Sequence, residues 1–189
     1  MDNMVDVKGE VPIAIRLFIR KKFGDKSLDR WVESLSSEAK NIYSLPIQKT
    51  DWFPVRDIVI EPTKVLCDMF YDKDIKGAWE SGRFSAEYSL KGIMIVLARL
   101  ITPEVLITKG TEILSTYYRP SSLEVVEKSR NMVILRITEF QDIDRVIEYR
   151  IGGWIQRSGE ISGARNVDVK IPKSLSQGDP YTEFYITWR

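Results

Sequence analysis

The sequence predicts an α+β fold: a helical N-terminal half followed by a ββαββ unit whose small antiparallel sheet packs on helices. Up to about residue 118, apolar residues recur at the spacing of one helix face. After Pro120 they alternate with polar residues, as in strands with one buried face. The length of 189 residues suits one domain, so we expect a single domain over 1–189, with a helical subdomain at 8–118 and a ββαββ subdomain at 119–189.

The helical half opens with two segments that each carry a continuous apolar face. The first has Pro12 in its first turn, where a missing N–H costs little, and ends at Gly24. The second keeps one face over about four turns, from Leu28 to Tyr43. A third apolar face continues through Pro62, which removes one backbone hydrogen bond, so we expect a bent or divided helix there.

Two more helices are predicted before the sheet. The segment around Trp79 has a weak helical pattern, and Tyr88 to Ile101 follows as a buried helix. Its apolar run is shorter than the roughly 20 residues that a membrane span needs. Thr102 and the proline after it are typical of a helix start, and that helix is expected to run to about Tyr118.

The second half has the pattern of two strand pairs separated by one helix. The first pair is a hairpin with its turn at Ser129-Arg130-Asn131. The helix is expected to be capped by Asp142 and to end at Gly159. The predicted strands are 123–126, 133–138, 166–171 and 183–188.

The last helix contains the pair Gly152-Gly153, and each glycine lowers helix stability by about 0.8–1 kcal/mol relative to alanine. A compensating contact is therefore expected. The structural interpretation is a close approach of this helix to the sheet or to another helix. The functional interpretation is a wall left open for a flat ligand beside Trp154. The tryptophans themselves are interpreted as core anchors: Trp31, Trp79, Trp154 and Trp188.

Composition argues against several classes of function. The sequence has no histidine, the usual general base near neutral pH and the usual nitrogen ligand of zinc or haem iron. One cysteine excludes an internal disulfide, and 28 Lys+Arg against 27 Asp+Glu give no support for nucleic-acid binding. Glycine-rich phosphate loops and a nucleophile elbow are absent from the sequence. We therefore expect no enzymatic activity, no metal and no cofactor.

Cellular location is predicted from the first residues. Met1 to Lys8 is polar and mixed in charge, without the basic start and apolar core of a signal peptide. A cytoplasmic location without a membrane span is expected, in which the single thiol stays reduced.

The two ends of the chain resemble a known superfamily, that of the haem nitric-oxide/oxygen-binding (H-NOX) sensors, the vinyl-reductase-type ligand-binding domains and the TRAPP vesicle-tethering subunits. At the start, Lys8-Gly9-Glu10-Val11 leads into a helix and is followed by Phe23-Gly24 and Trp31. At the end, the resemblance is carried by Tyr149-Arg150-Ile151-Gly152-Gly153-Trp154, Gly163-Ala164-Arg165-Asn166-Val167-Asp168-Val169 and Thr182-Glu183-Phe184-Tyr185-Ile186-Thr187-Trp188.

The sequence departs from the H-NOX pattern at the haem. H-NOX domains hold haem through an axial histidine on the helix before the sheet, and Pro103 to Tyr118 contains none. The Tyr-x-Ser-x-Arg motif for the haem propionates is also absent, since Tyr117 to Ser122 has the residue types without the spacing. Because iron needs an axial ligand, the resemblance implies a haem-free ligand-binding or partner-binding module, with an apolar cavity between helices and sheet.

Four residues are candidate ligand contacts: Cys67, Phe70, Met94 and Trp154. A helix bent at Pro62 cannot pack along its whole length, so a gap is predicted between it, the Tyr88–Ile101 helix and the helix bearing Trp154. Such a gap would hold an acyl chain or a flat ring. Cys67 itself is interpreted as a small buried hydrophobe, with lipid attachment or a sensor thiol as the alternative.

Two functions are left open. The first is a non-enzymatic H-NOX-like or vinyl-reductase-like sensor or regulatory domain that binds a small hydrophobic ligand or a partner protein. The alternative is a scaffolding homodimer without a ligand, joined through the Trp31/Leu35 or the Ile13/Leu17 face. The arginines near the last helix are interpreted as solvated, with an anion site as the alternative: Arg150, Arg157 and Arg165, together with Lys170.

Overall fold

The computed structural model describes residues 4–90 and 102–189. The helices are α1 (Glu10–Phe23), α2 (Asp25–Glu33), α3 (Ser37–Ser44), α4 (Glu61–Phe70), α5 (Lys76–Ser89), α6 (Pro103–Tyr117) and α7 (Arg145–Ile161). The strands are β1 (Asp6–Lys8), β2 (Trp52–Pro54), β3 (Tyr118–Arg119), β4 (Ser122–Ser129), β5 (Met132–Glu139), β6 (Asp168–Lys173) and β7 (Thr182–Thr187). This helices-then-ββαββ order confirms the predicted α+β class.

The larger sheet is antiparallel, with the strand order β4-β5-β7-β6. Its central strands pair Leu135 with Phe184 and Val133 with Ile186, and all four side chains are buried. A smaller sheet, β2-β1-β3, joins the start of the chain to the end of α6. It was not predicted, because strands of two or three residues are too short to show an alternating pattern.

The single helix predicted from Leu28 to Tyr43 is wrong, since the chain leaves the helix after Glu33. α3 starts afresh with Ser36 as its cap, whose Oγ accepts a hydrogen bond from Ala39 N at 3.3 Å. The apolar pattern continued through the break because α2 and α3 cover the same core. Trp31, which is 0% exposed, packs edge-on against Tyr43 with 4.8 Å between ring centroids.

The irregular helix predicted at Pro62 is confirmed. A π-helical segment, Arg56–Ile60, runs directly into α4, and Pro62 lies in the first turn of α4. A wide turn of this kind is one of the recognised ways in which a helix absorbs a local disruption.

The other boundaries agree with the sequence in part. The predicted start at Thr102 is confirmed, because its side chain accepts from Val105 N. α7 begins later than expected, with Asp144 rather than Asp142 as its cap. The helix predicted from Tyr88 to Ile101 lies outside the described residues beyond Leu90, and Tyr88 belongs to the end of α5. Among the described residues, none of the helices has the length and apolar character required to cross a membrane.

α5 and α7 approach each other closely, and glycines make this possible. A Cβ placed on Gly153 would lie 2.1 Å from the carbonyl oxygen of Trp79, and one on Gly82 would lie 2.0 Å from that of Arg150. At Gly152 it would lie 2.5 Å from the Trp79 ring. The predicted close helix contact is therefore confirmed, with α5 as the partner, and the alternative of a wall left open for a ligand is wrong.

Candidate ligand-binding site

A cavity of about 80 Å³ lies between α1, α5, α6 and α7, where the helical half meets the sheet. Most of its wall is apolar, and a few hydroxyl and charged groups interrupt it. The described residues that line it are Glu10, Val11, Ala14, Gly82, Ser85, Tyr88, Ser89, Ile113, Leu114, Tyr117, Tyr118, Leu123, Arg150, Ile151, Trp154 and Ile155.

The structure brings one of the four predicted contact residues to this cavity, namely Trp154. Cys67 lies against α5, where its Sγ is 3.0 Å from the position of a Cβ on Gly77. Phe70 stacks on Phe23 with 4.3 Å between ring centroids. Met94 lies outside the described residues. No residue of α4 is among the described lining residues, so this cavity lies in a different place from the predicted gap beside Cys67 and Phe70.

Cys67 has the environment of a core residue. Burial raises the pKa of its thiol to about 11. Because the thiolate is the reactive form, a thiol that is protonated near neutral pH is a poor nucleophile. This favours the interpretation of Cys67 as a small buried hydrophobe.

Arg150 is the charged group that the sequence interpretation missed. Its side chain was expected to be solvated, yet the residue is 3% exposed and lines the cavity. Its guanidinium donates from Nη1 to Ser81 Oγ and from Nη2 to Ser85 Oγ, the latter at 3.1 Å, while its buried Nε has no hydrogen-bond partner. Helical phase could have revealed this position, because residue 150 falls between Ile147 and Ile151 on the apolar stripe.

The remaining members of the predicted basic cluster do not join Arg150. Arg157 is half-buried and paired with Glu87 at 2.9 Å and with Glu160 at 2.8 Å. Arg165 and Lys170 are exposed. The four residues therefore do not form one anion site.

A row of serine hydroxyls on α5 faces Arg150 and Trp154 on α7. Ser81, Ser85 and Ser89 are spaced four residues apart, as are Arg150 and Trp154, so each set lies along one helix face. Trp154 Nε1 donates to Ser89 Oγ at 3.4 Å. Ser85 and Ser89 donate their own protons to the carbonyls one turn earlier, at 3.0 and 2.6 Å, which leaves their oxygens to accept from α7.

Among the described residues that line the cavity, Glu10 supplies a carboxylate, which forms an ion pair and a hydrogen bond with nearby groups. Lys49 Nζ lies 3.5 Å from Glu10 Oε1, and Tyr117 Oη donates to Oε2 at 3.4 Å. Burial, reinforced by the charge of Glu10, raises the pKa of Tyr117 to about 12. The charge of Glu10 also raises the pKa of Lys49. Lys49, which is not among the described lining residues, therefore offsets the charge of the Glu10 carboxylate.

Comparison with known proteins identifies the fold. No protein-family model matches the sequence, and no curated protein matches it. An H-NOX protein from K. algicida in the Fe(II) unliganded state has a TM-score of 0.70 and 12% identity over 96% of both chains. An H-NOX protein from S. oneidensis in the Fe(II)NO state has a TM-score of 0.75 and 9% identity over 96% of this chain and 99% of the other. The chain has an H-NOX-like fold, as its sequence resemblance predicts.

Proposed function

We propose that this chain is a non-enzymatic, haem-free sensor or regulatory domain that binds a small molecule in the cavity between α1, α5, α6 and α7. The observation that carries the proposal is the cavity. Ligand sites in proteins are clefts or cavities lined mainly by apolar side chains, and about 80 Å³ of such space lies here at the junction of the helical half and the sheet. Its wall of aromatic and aliphatic side chains with a few polar groups is typical of a ligand site.

Two features of the site and of the sequence support the haem-free part of the proposal. The volume of about 80 Å³ is far below the roughly 300–1,000 Å³ of sites for drug-sized ligands, and the sequence has no histidine to ligate iron. Tyrosine is an alternative iron ligand, but burial raises the pKa of both Tyr117 and Tyr118, which disfavours the phenolate that would ligate iron.

The alternative function, a scaffolding homodimer, loses support from the burial of its predicted interface. Trp31 and Leu35 lie in the core, and Ile13 and Leu17 are half-buried. An interface needs an apolar face that is free to meet a second copy. Ligand binding is therefore the function that the geometry favours.

Ligand binding is tested by thermal unfolding with small probes: benzene, butan-1-ol and butyrate. A molecule that binds only the native state raises the Tm in a concentration-dependent way, so we expect a saturable rise with at least one probe. Ile113→Trp places an indole in the cavity and should abolish the rise, because Ile113 is a half-buried lining residue. Val105→Trp, at an exposed position of the same helix, is the matched control and should retain it.

Two results would contradict the proposal. If no probe raises the Tm, or if Ile113→Trp retains every rise, the cavity is not a binding site. The haem-free part is tested separately by titration with haem. We expect no stable Soret band of a ligated haem, and a tight stoichiometric complex would contradict it.

A further inference from the structure

We infer that the ligand of this cavity is a small organic anion, with an apolar body and one carboxylate that binds the guanidinium of Arg150. The inference rests on the proposed function and specifies the chemical class of the ligand. It comes from a buried positive charge that has no carboxylate partner among the described side chains.

The described surroundings of Arg150 contain no counter-charge for its guanidinium. A buried ion is costly unless it is paired and hydrogen-bonded. Other arginines form ion pairs at distances up to 3.9 Å, but among the side chains that the structure describes no carboxylate lies within that distance of Arg150. The described neighbours that bind the guanidinium are neutral hydroxyl groups.

Hydrogen-bonding capacity also remains on the guanidinium, which has five N–H donors. Ser81 and Ser85 accept from Nη1 and Nη2, and the buried Nε has no partner. The Tyr118 hydroxyl also accepts a hydrogen bond from Arg150, but the pKa of Tyr118 is raised, since burial outweighs the opposing charge and hydrogen bond of Arg150. The phenol is therefore neutral and does not balance the charge.

The rest of the wall defines the other end of the ligand. Leu114, Leu123, Ile151 and Ile155 present aliphatic surface to the cavity, which favours an apolar body. The hydroxyl oxygens of Ser85 and Ser89 lie in the wall beside Arg150. One guanidinium matches one carboxylate, because charge-assisted hydrogen bonds between these groups are strong and directional. A phosphate group carries about −1.5 to −2 charges at neutral pH, which exceeds what a single arginine balances.

The test compares two probes of the same skeleton, butyrate and butan-1-ol, by calorimetry or by the fluorescence change of the protein. The wild type should bind butyrate at least about tenfold more tightly than butan-1-ol, the factor expected for a hydrogen bond to a charged group. Arg150→Gln keeps polar contact with the serines but removes the charge, so it should abolish this preference. Arg157→Gln removes a charge from the same helix outside the cavity wall and should leave the preference unchanged.

The possible outcomes separate this inference from the proposed function. Equal affinity of the wild type for both probes, or a butyrate preference retained in Arg150→Gln, would overturn the anion inference. The cavity would still be a binding site if Ile113→Trp abolished butan-1-ol binding. Inorganic phosphate binding as tightly as butyrate would overturn the apolar-body part. If Arg150→Gln does not fold, Arg150→Lys is used instead. This variant keeps the positive charge, so it should retain the preference for butyrate over butan-1-ol. Loss of that preference in Arg150→Lys would overturn the inference.

Discussion

Two buried charged side chains lie two residues apart on α7 and have opposite surroundings. Glu148 is 0% exposed, and its carboxylate accepts hydrogen bonds from Ser174 Oγ at 2.6 Å, Ser176 Oγ at 2.8 Å and the hydroxyl of Thr182. The backbone N–H of Ser176 donates to it as well, at 3.3 Å. Arg150, by contrast, has only neutral hydroxyl partners among the described residues, namely Ser81, Ser85 and Tyr118, and its Nε has no partner.

The difference follows from the helix geometry. Residues at i and i+2 point to different sides of a helix, so Glu148 faces the connection between β6 and β7 while Arg150 faces α5. Glu148 joins that connection to α7, and hydrogen-bond donors surround its carboxylate. Arg150 has no carboxylate partner among the described side chains, and its Nε has no hydrogen-bond acceptor. A buried charge whose partners are complete stabilises the fold, whereas one whose partners are incomplete is a candidate binding group.

The largest expected effect is at Glu148. Glu148→Leu leaves several buried donors without an acceptor, including the hydroxyls of Ser174 and Thr182. We expect the free energy of unfolding to fall by about 2–4 kcal/mol, measured by urea denaturation. Glu112→Leu, at an exposed position on α6, is the control and should change it by less than about 0.5 kcal/mol. A loss at Glu148 no larger than at Glu112 would show that the carboxylate does not anchor the connection.

The sequence was sufficient to predict most of the element order, because periodicity follows burial. It placed the sheet after Pro120 and the helix start at Thr102 correctly. The sequence pattern predicts α2 and α3 as one helix. Trp31 and Tyr43 face the same core, so the apolar residues of both helices keep one helical periodicity. The β2-β1-β3 sheet depends on pairing between distant short segments, which local patterns do not encode.

The site was harder to predict, because charged side chains are usually exposed to solvent, whereas Arg150 is buried. Trp154, which the sequence predicts as a ligand contact in a gap beside the Pro62 helix, lines a cavity in another place. Arg150 was assigned to solvent, although its phase matched the buried stripe. Whether a buried arginine has a carboxylate partner depends on tertiary contacts, so the imbalance at Arg150 becomes visible only in the folded chain.

A smaller and opposite effect is expected at Arg150. In the absence of ligand, Arg150→Met should keep the free energy of unfolding within about 1 kcal/mol of the wild type or raise it, because an apolar side chain replaces an unpaired buried charge. Chemical denaturation without added anions measures this. Arg157→Met, which removes a half-exposed pairing on the same helix, is the control. A loss of about 3 kcal/mol confined to Arg150→Met would make Arg150 a structural group like Glu148 and end the contrast between them.

The smallest effect is expected at Glu160, a partly exposed charge on the same helix. Arg83 donates to its carboxylate at 2.8 and 2.9 Å, and Arg157 donates at 2.8 Å. Burial raises the pKa of Glu160, but the hydrogen bonds and charges of the two arginines lower it by a larger amount. The net shift is therefore downward from 4.5. A lowered pKa in the folded state stabilises the protein above the pKa of the unfolded state, and this contribution disappears as the pH falls through the folded-state value.

Glu160→Gln should therefore lower the free energy of unfolding by about 0.2–1 kcal/mol at pH 7, the range of exposed and partly exposed ion pairs. At pH 3, below the ordinary value of 4.5, the difference between variant and wild type should shrink. Urea denaturation at the two pH values measures both, with Glu112→Gln as the exposed control. A difference that persists unchanged at pH 3 would mean that hydrogen-bond geometry rather than charge gives Glu160 its effect. The ion pairs of Glu160 would then contribute no more than neutral hydrogen bonds do. The decrease in expected stability effect from Glu148 through Arg150 to Glu160 would have to be attributed to packing.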